Sequence, residues 1–295
     1  MNENHYPAGS SKGGQFAPKN ATQIGGFNET ETAISYVPQK TSAGTDRVFF
    51  VDLPKERQLQ IEQEYLKQHY DIVSQLDYLY DNFKTSNIQT SEREFQRQKW
   101  LNDELESQLK QGQKRQEKKA VLLLGLPGSG KSTIAEPLMK DMGAFVIDAD
   151  NFKKRIPEFV QDHKMVSAVH HESVNLANKF RENLASQGYN MVIGKVGGDY
   201  ESVGYILDEL KDNGYQIQVV LNDVPFEVAV DRTIGRYDRG ETDRLVPFWT
   251  LKAADKNIFN TFDKVLQHPS IVGGKIYSND VPKGQAPVLL KEFNK

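Results

Sequence analysis

Residues 120–133 read AVLLLGLPGSGKST. Ala120 to Leu124 carry no charge, and in the loop that follows, Gly125, Gly130, Lys131 and Ser132 fill every fixed position of G-x-x-x-x-G-K-[ST]. The apolar run predicts a buried strand, and KSTIAEPLMKDM predicts a helix that starts at Lys131. Strand, glycine loop and helix N-terminus in that order form a phosphate cradle. Glycines let the backbone turn its N–H groups inward, and the helix end adds partial positive charge. Gly125, Gly128, Ser129, Gly130, Lys131, Ser132 and Thr133 are therefore the candidate nucleotide-binding residues. Lys131 is expected to reach the β- and γ-phosphates and Ser132 to hold Mg²⁺.

C-terminal to the loop, short apolar runs alternate with longer amphipathic segments. Strands are expected at 143–148, 190–193, 216–221 and 275–278, and helices at 164–187, 200–213, 224–237 and 247–268. Such alternation implies an α/β fold of P-loop NTPase type, a mostly parallel sheet with helices on both faces and the nucleotide at the carboxyl ends of the strands.

N-terminal to the loop the character changes. Residues 1–45 are rich in Gly, Ser, Asn, Thr and Pro and read as a disordered tail. The RVFFVDL run at 47–53 predicts a short strand. Residues 55–83 place Leu59, Leu66, Val73, Leu76, Tyr80 and Phe83 on one helix face, and Ser91-x-x-Glu94 reads as a capping box opening a second helix at 91–109. The basic segment 110–119 reads as a connector long enough to let this helical hairpin fold back over the nucleotide cleft. The expected division is a tail at 1–45, a helical hairpin at 46–115 and a P-loop kinase domain at 116–295.

Across 295 residues, 38% are apolar and 26% charged, with a formal net charge of −3 and no Cys. This balance favours neither nucleic acid nor membrane as a partner, and the lack of Cys removes disulfides, thiolate nucleophiles and cysteine metal sites together. No run reaches membrane-spanning length and MNENHYPAGS has no apolar signal core, so the expected location is cytoplasmic.

Phosphoryl transfer needs, besides the loop, a metal, a group to take the acceptor hydroxyl's proton, and cations around the transferring group. Asp148 and Asp150 end the 143–148 run in VIDADNF. Asp150 is the chosen base, while Asp148 could support the metal's water shell or cap the next helix. Arg232, Arg236 and Arg239 are spaced i, i+4, i+7, and Arg244 follows a glycine-containing bend, an arrangement suited to a lid that clamps phosphate. In His170-His171-Glu172-Ser173, His171 or Glu172 could contact substrate, or the four could equally form a polar cluster at a helix start.

These residues together resemble the zeta toxin family. The resemblance rests on Gly125 to Thr133, VIDADNFKKRIPEF at 146–159, His171 to Ser173, QGYNMVI at 187–193, and TIGRY with Arg244-Leu-Val-Pro247. It covers roughly residue 118 to the C-terminus. It implies a toxin-type kinase that uses ATP or GTP with Mg²⁺ to phosphorylate UDP-N-acetylglucosamine. Lys131 and Ser132 would then serve the triphosphate and metal, Asp150 would be the base, and Arg236 and Arg244 the phosphate clamps. The chain departs from the family at 194–199, GKVGGD, which lacks the acid, Thr and Arg that bind the sugar nucleotide in well-studied members. Lys195 could meet a diphosphate there and Asp199 a sugar hydroxyl. HYPAGSSKGGQFAPKN at 5–20 resembles a short segment of phage head-morphogenesis proteins and linked toxins. The resemblance implies a helical antitoxin as partner, in trans; the 46–115 hairpin, with its apolar stripes, could supply that inhibition in cis, or could instead be a docking or delivery module or pack on the back of the kinase domain. Competing readings are a housekeeping nucleotide or sugar kinase and a phage-associated interaction protein with a non-catalytic nucleotide-binding domain.

Overall fold

The structure, a computed structural model, describes residues 39–41, 44, 46–67, 78–79, 82–239, 245–282 and 284–295. Most of the expected tail, the 5–20 segment and Arg244 lie outside these residues. In chain order, the short antiparallel ladder β1 (Gln39–Lys40) and β2 (Asp46–Arg47) leads to a 3-10 turn at Phe50–Asp52 and helix α1 (Lys55–Lys67). Helix α2 (Ser91–Leu109) precedes β3 (Lys119–Leu124), α3 (Lys131–Met142), β4 (Phe145–Ile147), α4 (Ala149–Lys153) and α5 (Pro157–Gln161). Then come α6 (His170–Ser186), β5 (Met191–Lys195), α7 (Glu201–Asp212), β6 (Gln216–Asp223), α8 (Phe226–Asp238), α9 (Phe248–Gln267), β7 (Ile271–Ser278) and β8 (Val288–Asn294).

Six strands form one sheet in the order β4-β5-β3-β6-β7-β8, parallel except for β8. Strand β3 lies inside it and is buried on both faces, which is why it reads as an unbroken apolar run. Ala120, Leu122 and Leu124 enter the large core with Leu176 and Phe180 of α6, Leu207 of α7 and Ile258 of α9. Val121 and Leu123 point the other way, toward Ile134 and Leu138 of α3. Helices thus cover both faces of the sheet. Among the described residues no helix is long and apolar enough to cross a membrane.

The N-terminal region differs most from expectation. The RVFFVDL run forms no sheet strand beyond Arg47. Phe50 turns in instead, packs against Phe226 and Phe248, and donates its N–H to Asp255 Oδ2 at 2.8 Å. In α1 the buried residues are Ile61 and Tyr65, whereas Leu59 is 56% exposed, because this helix packs on α8 and, through Tyr65 against Phe248 and Glu62 with Lys252, on α9. Val73, Leu76 and Tyr80 lie outside the described residues, and Phe83 is exposed. Helix α2 spans the expected 91–109, but its cap is Thr90, whose Oγ1 accepts from Arg93 N at 3.1 Å. Glu94 is drawn away from the cap by Arg97.

The connector is no free tether. Arg115 N donates to Gly143 O at 2.8 Å, Asn190 N to Arg115 O at 2.8 Å, and Lys114 Nζ to Ala144 O at 2.8 Å. These bonds hold it along the β4 side of the sheet. The 164–187 helix begins at His170, after a 3-10 turn at His163–Val166, and the last expected strand extends back to Ile271. Strand β8 was not expected; pairing with β7 creates it.

Candidate active site

The loop between β3 and α3 has the geometry its glycines suggest. Gly128 and Gly130 sit at φ of +80° and +82°, where a side chain is strained. A Cβ on Gly128 would lie 2.4 Å from Ala229 O, and one on Gly130 2.2 Å from Asn279 Nδ2. Ser129 is fully buried, and its carbonyl accepts from Asn222 Nδ2 at 2.8 Å and Asn279 Nδ2 at 2.6 Å. Two amides from the ends of neighbouring strands therefore fix the loop from below. Lys131 Nζ donates to Gly125 O at 2.7 Å and Leu126 O at 3.1 Å, while Ser132 and Thr133 are exposed on the first turn of α3.

Register brings the other candidates to the same edge. Leu124 pairs with Lys195 on one side and Leu221 on the other, and Ile147 pairs with Ile193. Asp148, Lys195, the loop and Asn222 thus follow one another across the carboxyl ends of β4, β5, β3 and β6. Asp148 caps α4, its Oδ1 accepting from Asp150 N at 2.9 Å. Asp150 is partly exposed and its Oδ1 lies 3.1 Å from the Nζ of Lys153, a buried lysine that the sequence reading did not single out. Burial, with the Arg181 guanidinium nearby, pushes the Lys195 ammonium down to about 8, against the pull of Asp148 and Asp199. Asp199 is exposed, and its Oδ1 accepts from Ser202 N at 2.6 Å at the start of α7.

Glu172 is placed differently from a ligand-facing carboxylate. It is 1% exposed and accepts from Arg93 Nε at 3.0 Å, Arg93 Nη2 at 2.7 Å and Arg97 Nε at 2.8 Å, all from α2. Arg93 also reaches Glu158 at 2.9 Å and stacks over Trp100. Burial raises the Glu172 carboxyl, but hydrogen bonds from Arg93, Thr85 and Arg97 outweigh it and hold the group below the usual carboxylate range. Three arginines were expected along one face of α8. Arg232 turns toward the sheet and donates to Asn279 O at 2.9 Å, Arg236 is half-buried, and Arg239 is exposed at the helix end.

Sequence reasoning also missed Arg47. Buried, it pairs with Asp223 at the carboxyl end of β6 and, at 2.6 Å, with Asp255 of α9. Burial raises both carboxyls, and Arg47 opposes the shift. Its only sequence signal was one basic residue ahead of an apolar run.

A glycine loop on an inner parallel strand, with ionisable groups ranged along the same carboxyl edge, defines a protein of the P-loop kinase type. The zeta toxin profile matches residues 102–283, from within α2 to beyond β7, and the chain belongs to the zeta toxin family. It is 32% identical over 146 residues to a zeta toxin of Streptococcus pyogenes, covering 47% of this chain and 50% of that protein. The chain thus spans about half the length of this curated relative. A solved structure from the PezAT chromosomal toxin–antitoxin system of Streptococcus pneumoniae shares the fold. Its TM-score is 0.57 at 19% identity, over 70% of this chain and 82% of that one. The AvrRxo1-ORF1:-ORF2 structure with ATP gives a TM-score of 0.53 at 20% identity, over 74% and 70%.

Proposed function

We propose that this protein is a toxin-type small-metabolite kinase that transfers the γ-phosphoryl group of ATP or GTP to a hydroxyl of a nucleotide sugar, with UDP-N-acetylglucosamine the best single candidate. The observation that carries this reading is the alignment of the glycine loop, Asp148, Asp150 and Lys195 along one sheet edge. In this reading the loop N–H groups and Lys131 bind the triphosphate, Lys131 exchanging its loop carbonyls for phosphate oxygens. Asp150, paired with Lys153, accepts the proton of the attacking hydroxyl. Lys195 and Asp199 face the acceptor, and Arg236, Arg239 and Arg244 close over the transferring group.

Mg²⁺ suits this site. The Ser132 hydroxyl is a hard oxygen donor exposed beside the loop, and a nucleotide-bound Mg²⁺ needs few protein ligands. Ser132, exposed on the first turn of α3, would hold it, and the ion would neutralise charge between the β- and γ-phosphates. A helical antitoxin is the proposed partner, in line with the toxin–antitoxin system from which the pneumococcal structure comes.

Mass spectrometry after incubation with ATP, Mg²⁺ and UDP-N-acetylglucosamine should show one added phosphate. Asp150→Asn should cut the transfer rate by about 10²–10⁴ while nucleotide binding persists, and Lys131→Ala should weaken both. Transfer by Asp150→Asn at the parent rate would remove Asp150 as the base. A labelled product from a bacterial metabolite extract, with none from the sugar nucleotide, would replace the acceptor and keep the kinase.

A further inference from the structure

Helix α2 buries an unusual face. A helix laid on a globular core normally turns an apolar stripe inward. Here Trp100 and Leu101 form only the middle of the stripe, and Arg93, Glu104 and Gln108 are each under 7% exposed. Buried polar groups contribute little net stability even when paired, but they demand defined partners and so select one arrangement. Apart from each other, the side-chain partners given for Glu104 and Gln108 lie on β4, α4 or the residues just after it.

Strand β4 is the edge of the sheet, so its outer N–H and C=O groups have no neighbouring strand. The Gln108 side chain takes that strand's place. Its Oε1 accepts from Val146 N at 2.7 Å, and its Nε2 donates to Val146 O at 2.8 Å. The same Nε2 donates to Glu104 Oε1 at 2.7 Å, which orients the amide. Glu104 in turn accepts from Asn151 Nδ2 at 3.1 Å and Arg155 Nη2 at 2.7 Å. Val146 is two residues before Asp148, and Asn151 is the residue after Asp150. The segment that carries the two carboxylates is therefore held on both sides through two side chains of α2. The connector bonds at Gly143 and Ala144 continue the grip along the same edge.

We propose that Gln108 and Glu104 are positioning residues for phosphoryl transfer: through the β4 edge and Asn151 they set where Asp150 meets the acceptor hydroxyl. The inference rests on Asp150 being the base. It makes α2 part of the catalytic unit rather than a removable neighbour.

The test uses the full chain. Gln108→Met keeps the side-chain volume and removes the bonds to Val146; Glu104→Gln keeps an acceptor for Asn151 and removes the charge facing Arg155. Both are compared with the parent at matched nucleotide-binding stoichiometry, with transfer to UDP-N-acetylglucosamine, or to the labelled component of a metabolite extract, as the readout. Gln108→Met should lower turnover about 10- to 100-fold with nucleotide affinity unchanged within about twofold, the size of effect expected when a reacting group is displaced by about an ångström. In an Asp150→Asn background the same substitution should cost less than about twofold, because a group that acts through Asp150 has nothing left to position. Equal losses in both backgrounds, or no loss in the first, would overturn the proposal. If the parent transfers phosphate to neither acceptor, the functional reading fails and the catalytic role of Gln108 falls with it, and amide hydrogen exchange then tests only its hold on the segment that carries Asp150. Faster exchange across residues 146–153 in Gln108→Met, with 131–142 unchanged, would uphold that hold, and identical exchange would overturn it. Glu104→Gln should follow Gln108→Met in direction with a smaller effect, since it keeps the Asn151 contact.

Discussion

Glu172→Gln separates an anchor from a ligand contact. The substitution removes the charge that three guanidinium N–H groups of Arg93 and Arg97 share at 2.7–3.0 Å. Deleting one partner of a buried ion pair typically costs about 3–5 kcal/mol, because the other charge stays buried. Arg93 keeps Glu158 and the face of Trp100, and Arg97 keeps Ile88 O at 2.8 Å and Glu94 at 3.3 Å. The loss should therefore fall near the lower end, about 3 kcal/mol. For a chain of this size that is a fall in Tm of about 6–12 °C. The pH dependence has a fixed sign. The folded carboxyl sits below its unfolded range, so its stabilisation is complete above about pH 4.3 and is lost as pH falls through the lower folded value. Thermal unfolding of the parent should steepen across that acid window, and Glu172→Gln should flatten there. A loss under about 1 kcal/mol at neutral pH, together with a raised acceptor KM in the folded variant, would refute the anchor and return Glu172 to the substrate.

Lys195, with its ammonium pushed down to about 8, should make acceptor binding pH-dependent. Acceptor KM should be level below that pH and climb above it by up to about tenfold per unit, and Lys195→Arg should abolish the climb; a level profile in the parent past pH 9 would contradict a charged role. Deleting residues 1–115 removes Arg47, Arg93, Arg97, Glu104 and Gln108, leaving Asp223, Asp255 and Glu172 without their cations and the β4 edge without Gln108. Lower Tm and lower transfer are the expected outcome, read by thermal unfolding and mass spectrometry, whereas higher transfer from a folded product would establish residues 46–115 as an inhibitor in cis.

The nucleotide-binding core was readable from the sequence because its signals are local. Glycines at 128 and 130 take the positive φ that other residues resist, the apolar run at 120–124 fits a strand buried on both faces, and α3 begins and ends where the pattern places it. Alternating runs likewise announced the parallel sheet. What the tertiary structure decided is where the long-range polar partners meet. Arg47 lies 176 residues from Asp223 and 208 from Asp255, Arg93 lies 79 from Glu172, and Gln108 lies 38 from Val146. Nothing in the neighbourhood of these side chains distinguishes them from solvated charge, so Glu172 read equally as a substrate contact or a helix-start polar group, and the polar residues that α2 buries gave no sign of their partners. Strand β8 is a similar case: its VLLKEFN sequence, largely exposed, becomes a strand through the β7 ladder. A backbone signal is carried by neighbouring residues, whereas a buried charge is identified only by the opposite charge that folding brings to it.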